Sequence, residues 1–466
     1  MHYFYLFSRI IITTNHICIG GVYIIPGLIG GSIGFGLSLI LRLELALPGF
    51  IISSSLQYNP CITFHGILMI LFMIMPILIG GFGNVPIPLM LCSSDMIFPR
   101  LNALSLWFIL YSLFILFLGM FLDGGVNSGW TSHVPPSIIN YASIDSMFFS
   151  LHVVGLSPLL GSINFIVTLL KASYLSIIHS ALFLPLFPRS IFPTSFSSIL
   201  SLPVLAGCIT TTTSDRHFNP SSFDPCRGGD IISSQHPFRF SSHPEAHISI
   251  SPAFGLMSEM LSKFTQCIIS GRDSMLIAIL LTTFPGSIVW GHHMFIVGFD
   301  IDTRTYSTTA TSITAIPTGI KILNRIATLW SGSFYLITPL SFIIGFLFSF
   351  SFGGFTGPIP ANSIIDTPLH DPYFVIGHSH YALSPGAVYT IFAAFYNYRI
   401  PLSSYFSLND FLGRCHYFTS SLSPNLISFP MHSLGINGFP RRIFDYPIIY
   451  FKFHWFNYYL KYFSWK

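Results

Sequence analysis

Eighteen histidines stand among the 466 residues. Seven fall in four short apolar frames: His65 in YNPCITFHGILM, His243 and His247 in HPEAH, His292 and His293 in VWGHHMF, and His378 with His380 in VIGHSHYAL. A neutral imidazole is the commonest side-chain metal ligand, so clustered apolar-frame histidines without paired carboxylates point to a metal or haem iron. A hydrogen bond to neighbouring helix backbone would account for any one of them as well; it does not account for seven. At about 100° per residue, His378 and His380 lie about 200° apart on a helix, face opposite sides and cannot share one metal. Two centres can flank that helix. His292 and His293 are adjacent, so they reach one ion only where their helix is distorted, with His243 arriving from another segment. Three imidazoles with an open position suit copper. On this count His65 and His380 could clamp a six-coordinate iron, and His378 a five-coordinate one facing the copper.

Elements that hold such groups must lie in a largely apolar solvent. The chain is 52% hydrophobic and 8% charged, with a mean hydropathy of +0.68; an ordinary soluble domain carries about 25% charged residues. This excludes a typical cytosolic enzyme and a disordered chain. The net charge of +4 is scattered, which gives nucleic acid no footprint. Windows of about 20 mostly apolar residues with few or no charges predict spans over 17–41, 66–91, 102–122, 145–170, 274–297, 305–329, 334–355 and 374–395. Three poorer windows are 182–213, broken by four prolines, 236–261 and the Ser-rich 412–429. Segment 214–234 reads as a polar extramembrane loop. The expected fold is an all-α polytopic transmembrane bundle of about eleven spans, one catalytic domain over 1–466, with 447–466 as a tail forming at most a short interfacial helix. Seven cysteines without CxxC spacing read as small buried residues. No cleaved signal or presequence is evident at the N-terminus, which suits synthesis inside the organelle that uses the protein, or in a bacterium.

These motifs, taken together with RLELALPG, SGWTSHVPP, FDPCRGGD, AIPTGIKI, HDPYFVIGHSHY and GFPRRIFDYP, resemble the haem–copper oxidases. The likeness is nearest to subunit I of the mitochondrial-type cytochrome c oxidases and covers nearly the whole chain. The family fold is a twelve-helix bundle. The resemblance implies His65 and His380 as axial ligands of a low-spin haem, His378 of a high-spin haem, and His243, His292 and His293 around copper B, with haems of the a type. It implies magnesium at His370 and Asp371, Arg441 and Arg442 on the haem propionates, and Arg42 and Tyr58 beside the low-spin haem. Asp95 resembles the mouth of one proton pathway with Asn84 and Asn102 lining it, Glu245 its internal donor, and Lys321 with Thr318 a second pathway. On its own Asp95 reads as a helix-end charge, whereas a carboxylate two residues from a copper ligand is costly unless it titrates. The implied activity is reduction of O2 to water with electrons from cytochrome c, delivered through a copper-bearing subunit II and coupled to proton translocation. Subunit III, other respiratory subunits and the mitochondrial inner membrane are the implied setting.

The chain departs from the family mainly between 185 and 252. Arg239 replaces a tryptophan, Ser241 a phenylalanine, Ser249 and Ser251 aliphatic residues, and Ala246 a valine. His247 replaces the tyrosine that the family cross-links to the first copper histidine. Ser379 and Pro385 enter the two-histidine helix. Each such change is one T-to-C step in a codon, which suggests an organelle gene whose transcript is edited before use. Mid-helix prolines cost about 3 kcal/mol each, so the bundle as written is expected to be unstable. A quinol oxidase of the same superfamily, differing in its electron donor, and a non-catalytic product of a decayed or unedited copy are the alternatives. A plain transporter gives no reason for the histidines.

Overall fold

The computed structural model describes residues 12–49, 51, 55–138, 141–172, 184–398 and 408–465. Its longer helices are α1 (His16–Glu44), α2 (Leu56–Met90), α3 (Pro99–Met120), α4 (Ala142–Ala172), α5 (Leu186–Phe218), α6 (Ile231–Thr265), α7 (Arg272–Thr283), α8 (Ile301–Ser331), α9 (Thr338–Thr356), α10 (Tyr373–Tyr398), α11 (Asp410–Ile436) and α12 (Phe451–Trp465). Many starts are set by side-chain caps that satisfy otherwise unpaired amides. Asn15 accepts from Ile17 and Cys18, Asp230 from Ile232 and Ser233, Asp300 from Thr303, and Asn409 from Phe411 and Leu412.

Among the described residues six helices (α1 to α5 and α9, which runs on through Ala361) are long and apolar enough to cross a membrane. The more polar α6, α8, α10 and α11 have 35, 31, 26 and 27 residues, so at 1.5 Å per residue each exceeds a hydrocarbon core of about 30 Å. The fold is an all-α membrane bundle.

Three expectations need correction. The predicted span 274–297 is not one helix: α7 stops at Thr283, and the chain continues as 3-10 turns over Pro285–Ile288 and Trp290–Met294. Pro285 brings no N–H to the ladder and Gly286 follows it, so the helix ends there. The predicted loop 214–234 is shorter, because α5 runs to Phe218 and α6 begins at Ile231. The window 182–213 is not broken by its prolines over the described residues either: α5 stays helical through Pro193 and Pro203, as α6 does through Pro237, Pro244 and Pro252 and α10 through Pro385. Near the C-terminal end α12 has 15 residues, fewer than a span needs. This helix packs on α11 and α1 and buries His454 and Asn457.

Close packing places the site. A Cβ on Gly34 of α1 would meet Met69 Sδ at 3.0 Å and Leu68 Cβ at 3.3 Å, and one on Gly27 would overlap Ile77. Small residues thus let α1 lie directly against α2. The segment of α2 in contact is wound as π-helix over Leu68–Ile74 and Pro76–Gly81. One apolar cluster joins α2, α5, α6, α9 and α10, a second α1 to α4, and a third closes the end where α1, α10, α11 and α12 meet. The histidines sit among these clusters.

Candidate functional site: a histidine cluster beside a two-sided histidine helix

The broken segment after α7 does what adjacency alone forbids. In the 3-10 turn Trp290–Met294 the rings of His292 and His293 lie 4.2 Å apart and both approach His243 of α6, at 4.5 and 5.2 Å between centroids. Each of the three offers a nitrogen within 4.8 Å of the others, and among the described residues this is the one such group of three. His243 Nδ1 is 3.1 Å from His293 Nε2, and Thr311 Oγ1 of α8 is 3.2 Å from His292 Nδ1. One helical turn on, His247 Nε2 lies 3.2 Å from His243 Nε2. So Nδ1 of His243 faces the cluster while its Nε2 faces residue 247.

On α10 the two histidines point away from each other, as their spacing requires. His380 pairs with His65 of α2: the rings are 6.5 Å apart between centroids and within 14° of parallel. His65 Nδ1 is 2.7 Å from the Gly34 carbonyl and His380 Nδ1 2.8 Å from that of Ile376. An N–H spent on a carbonyl leaves the lone pair on Nε2, the arrangement of a histidine prepared for a metal. His378 follows the same rule, with Nδ1 3.0 Å from the Gly353 carbonyl and 3.1 Å from Thr356 Oγ1, both on α9. Gly34, Gly353 and Thr356 carry no motif, and no sequence signal marks them as ring anchors.

Cationic groups gather at the start of α10. Tyr373 N–H donates to the Phe439 carbonyl and Arg441 N–H to that of Asp371, which ties the 439–442 segment to this end. Arg441 Nη2 is 2.7 Å from Asp371 Oδ1. Burial alone would raise the Asp371 carboxyl, but the hydrogen bond and charge of Arg441 outweigh it and hold the group below its ordinary value. Arg442 donates to Thr131 Oγ1 at 3.3 Å, and Arg239 to His133 Nε2 at 3.3 Å. His133 is pushed down to about 4 by burial and by the charges of Arg239, Arg442 and Arg441; it accepts as a neutral ring. His370 is engaged with Asp366, Nδ1 to Oδ2 at 2.7 Å, a partner the sequence reading missed. Arg42 donates to the Tyr373 hydroxyl at 3.2 Å, beside buried Tyr58.

The remaining polar residues separate into two routes. Buried Glu245 lines a cavity with Asn84, Asn102, Tyr23, Ser105 and Ser157. Within it Glu245 Oε1, Asn84 Oδ1 and Asn102 Nδ2 have no hydrogen-bond partner among the described residues, while Tyr23 Oη is 2.6 Å from Ser105 Oγ. Asp95 is not among the lining residues; its carboxylate accepts from the Met96 amide at 2.7 Å. On the other side Lys321 of α8, 1% exposed, donates to Thr282 Oγ1 of α7 at 2.5 Å. Thr318 Oγ1 lies one turn earlier and turns back to the Thr314 carbonyl at 3.5 Å.

Fold and site together define an all-α polytopic membrane protein built around half-buried histidine clusters. The chain belongs to the family described as cytochrome C and quinol oxidase polypeptide I, whose model matches residues 18–464. It is 43% identical over 449 residues to cytochrome c oxidase subunit 1 of Pecten maximus, covering 95% of this chain and 94% of the relative. To cytochrome c oxidase subunit 1 of Candida albicans it is 42% identical over 445 residues, 94% of this chain and 83% of the relative. Among solved structures, a heme-copper terminal oxidase dimer superposes with a TM-score of 0.78 at 16% identity, over 96% of this chain and 81% of that one. That likeness supports the fold.

Proposed function

We propose that this chain is the catalytic subunit of a terminal respiratory oxidase that reduces O2 to water with electrons from cytochrome c and couples the reaction to proton translocation. The single observation that carries it is α10, which presents His380 to His65 on one side and His378 toward α9 on the other, while α6 and the broken α7 segment assemble three further histidines.

The residues fit two haems and one copper. Two metal–nitrogen bonds of about 2 Å laid end to end, together with the two ring radii, fill the 6.5 Å between the His65 and His380 centroids. His378 would hold the second haem, and His243, His292 and His293 the copper. Bound there, iron and copper supply the one-electron and O2 chemistry that side chains lack. Arg441 and Arg442 offer guanidinium donors to propionates, and Arg42 with Tyr58 stands beside the low-spin haem. His370 and Asp371 supply two ligands for magnesium, which a partner subunit or water would complete.

The chain's own work is to orient rings, exclude water and move protons. Gly34, Ile376 and Gly353 carbonyls fix the tautomers of His65, His380 and His378. Glu245 and Asn102 present unpartnered atoms to the cavity, Asp95 stands in the loop between α2 and α3 as the candidate entry, and the Lys321 side chain with Thr282 and Thr318 marks the second route. His247 occupies the place beside His243 from which a phenol would give a proton and an electron; an imidazole accepts and returns a proton but is a poor electron donor. We further infer haems of the a type, a copper-bearing subunit II as the entry of electrons, subunit III as a companion, and the mitochondrial inner membrane as the location.

Oxygen uptake by the purified native complex tests the proposal, with reduced cytochrome c and a quinol offered separately. Consumption with cytochrome c is expected; consumption with quinol alone would move the protein to the other branch, and no uptake with either would overturn the reading.

A further inference from the structure

A buried arginine that belongs in an apolar bundle has a carboxylate. Arg216 of α5 shows this: its Nε is 2.8 Å from Asp145 Oδ1, its Nη2 2.9 Å from Oδ2, and it also donates to the Tyr141 carbonyl. Arg189, on the same helix and 5% exposed, has nothing comparable; none of its three nitrogens finds a hydrogen-bond partner among the described residues. It also stands in the first turn of α5, where the helix dipole opposes a cation. Glu259 of α6 and Asp273 of α7 come near enough to act on its charge, but neither bonds the guanidinium, and the Glu259 carboxylate accepts from the Leu186 amide instead. An unpaired buried charge costs several kcal/mol.

Arg325 of α8 repeats the problem. It is 1% exposed, among the described residues has no carboxylate partner and none for Nε, and uses Nη1 and Nη2 on the Lys321 and Phe254 carbonyls, each at 2.7 Å. It shares one helix face with Lys321 at i,i+4, an unfavourable spacing for two cationic side chains, and both lie over the Phe254 ring at 4.7 and 5.0 Å. Ser349 of α9 is the neutral counterpart. Ser341 and Ser351 on the same helix return their hydroxyls to the Ile337 and Leu347 carbonyls, whereas Ser349, fully buried, has no partner for its own among the described residues.

The genetic code limits what an edited transcript can make of these positions. Among arginine codons only the CGN set holds a cytosine at a position where C-to-U changes the residue, and UGN reads tryptophan, cysteine or stop. Of these only tryptophan fills the volume that an arginine side chain occupies, and at 325 it would stack where a guanidinium now lies over Phe254. A UCN serine becomes leucine or phenylalanine. We infer that Arg189 and Arg325 are recoded positions, read as tryptophan in the assembled protein, and that Ser349 is read as leucine or phenylalanine. The reaction is hydrolytic: water adds at C4 of the target cytosine in the message, the C4–N bond breaks, ammonia leaves, and no electrons are exchanged, so a cytidine-deaminase-type activity with water suffices. The inference does not rest on the proposed oxidase activity.

Sequencing the gene and the transcript from the same cells, with peptide mass spectrometry of the native membrane complex, tests it. The expected result is CGG in the gene and UGG in the transcript at both arginine positions, loss of tryptic cleavage after 189 and 325, and a leucine or phenylalanine at 349. Arg216 serves as the control and should remain arginine throughout. Tryptic cleavage after 189 and 325 in peptides from the native complex, an AGA or AGG codon at either position, or a transcript identical to the gene would each overturn it.

Discussion

The His65–His380 pair and the His243–His292–His293 cluster are built from the same side chain and are held in opposite ways. In the pair, each ring spends Nδ1 on a helix carbonyl, 2.7 Å to Gly34 and 2.8 Å to Ile376, so the fold sets the ring before any ligand arrives. In the cluster the rings approach one another: His243 Nδ1 meets His293 Nε2 at 3.1 Å and His243 Nε2 meets His247 Nε2 at 3.2 Å. Two nitrogens in contact need one proton between them, and lone pairs converging from three rings repel unless a cation takes them. The pair is therefore prepared by backbone, whereas the cluster is an arrangement that a bound cation would complete.

That contrast can be broken most sharply on α10. His380→Ala should abolish the low-spin haem band and His378→Ala the high-spin one, each with loss of turnover to background, read by difference spectra of purified protein. If both variants lose the same band, the two-sided helix is wrong. His243→Ala comes next: copper should fall to background by elemental analysis while both haem bands persist, since the pair is anchored independently of the cluster. Loss of the low-spin band in that variant would show that the two centres are not separately held.

Residue 247 tests the cluster from inside. His247→Tyr should raise O2 turnover by about 10-fold or more, on the scale of a positioned proton-transfer group, with metal content unchanged. Equal turnover with histidine would remove any special role from this position. Lys321→Met should slow turnover by about 10²-fold with haem and copper retained; unchanged turnover would reduce the lysine to a structural partner of Thr282. The smallest effect belongs to the exposed Arg441–Asp371 pair. Because Asp371 is held below its ordinary value, the pair's contribution is present above a normal carboxylate pKa of about 3.9 and is lost as pH falls through the lower folded value. Asp371→Asn should flatten that acid limb of the thermal stability profile; an unchanged profile would show that the pair contributes nothing.

Much of the centre was legible because its signals are local. Two histidines at i,i+2 on a continuous helix must diverge, and α10 is continuous. Adjacent histidines converge only on a distorted helix, and Pro285 with Gly286 supplies the distortion, although the apolar window through 297 concealed the break. What spacing could not reveal is the supporting shell. Gly34 holds His65 across 31 residues and Gly353 holds His378 across 25, and a carbonyl has no side-chain signature. The Tyr23–Ser105–Ser157 lining of the Glu245 cavity comes from three helices at unrelated separations. The end of α5 was misread for a different reason. The residues past Thr213, SDRHF over 214–218, look like loop composition, yet Arg216 pairs with Asp145, Asp215 accepts from the Ser222 and Phe223 amides, and the helix runs on to Phe218.

Elemental and haem analysis of the purified native complex, set against the absorption spectrum of the same sample, addresses the central claim most directly. Two haem irons and one copper per copy of this chain, with two resolvable haem bands, is the result this structure predicts. A single haem band, or a chain that carries both irons but no copper at the His243–His292–His293 cluster, would contradict it.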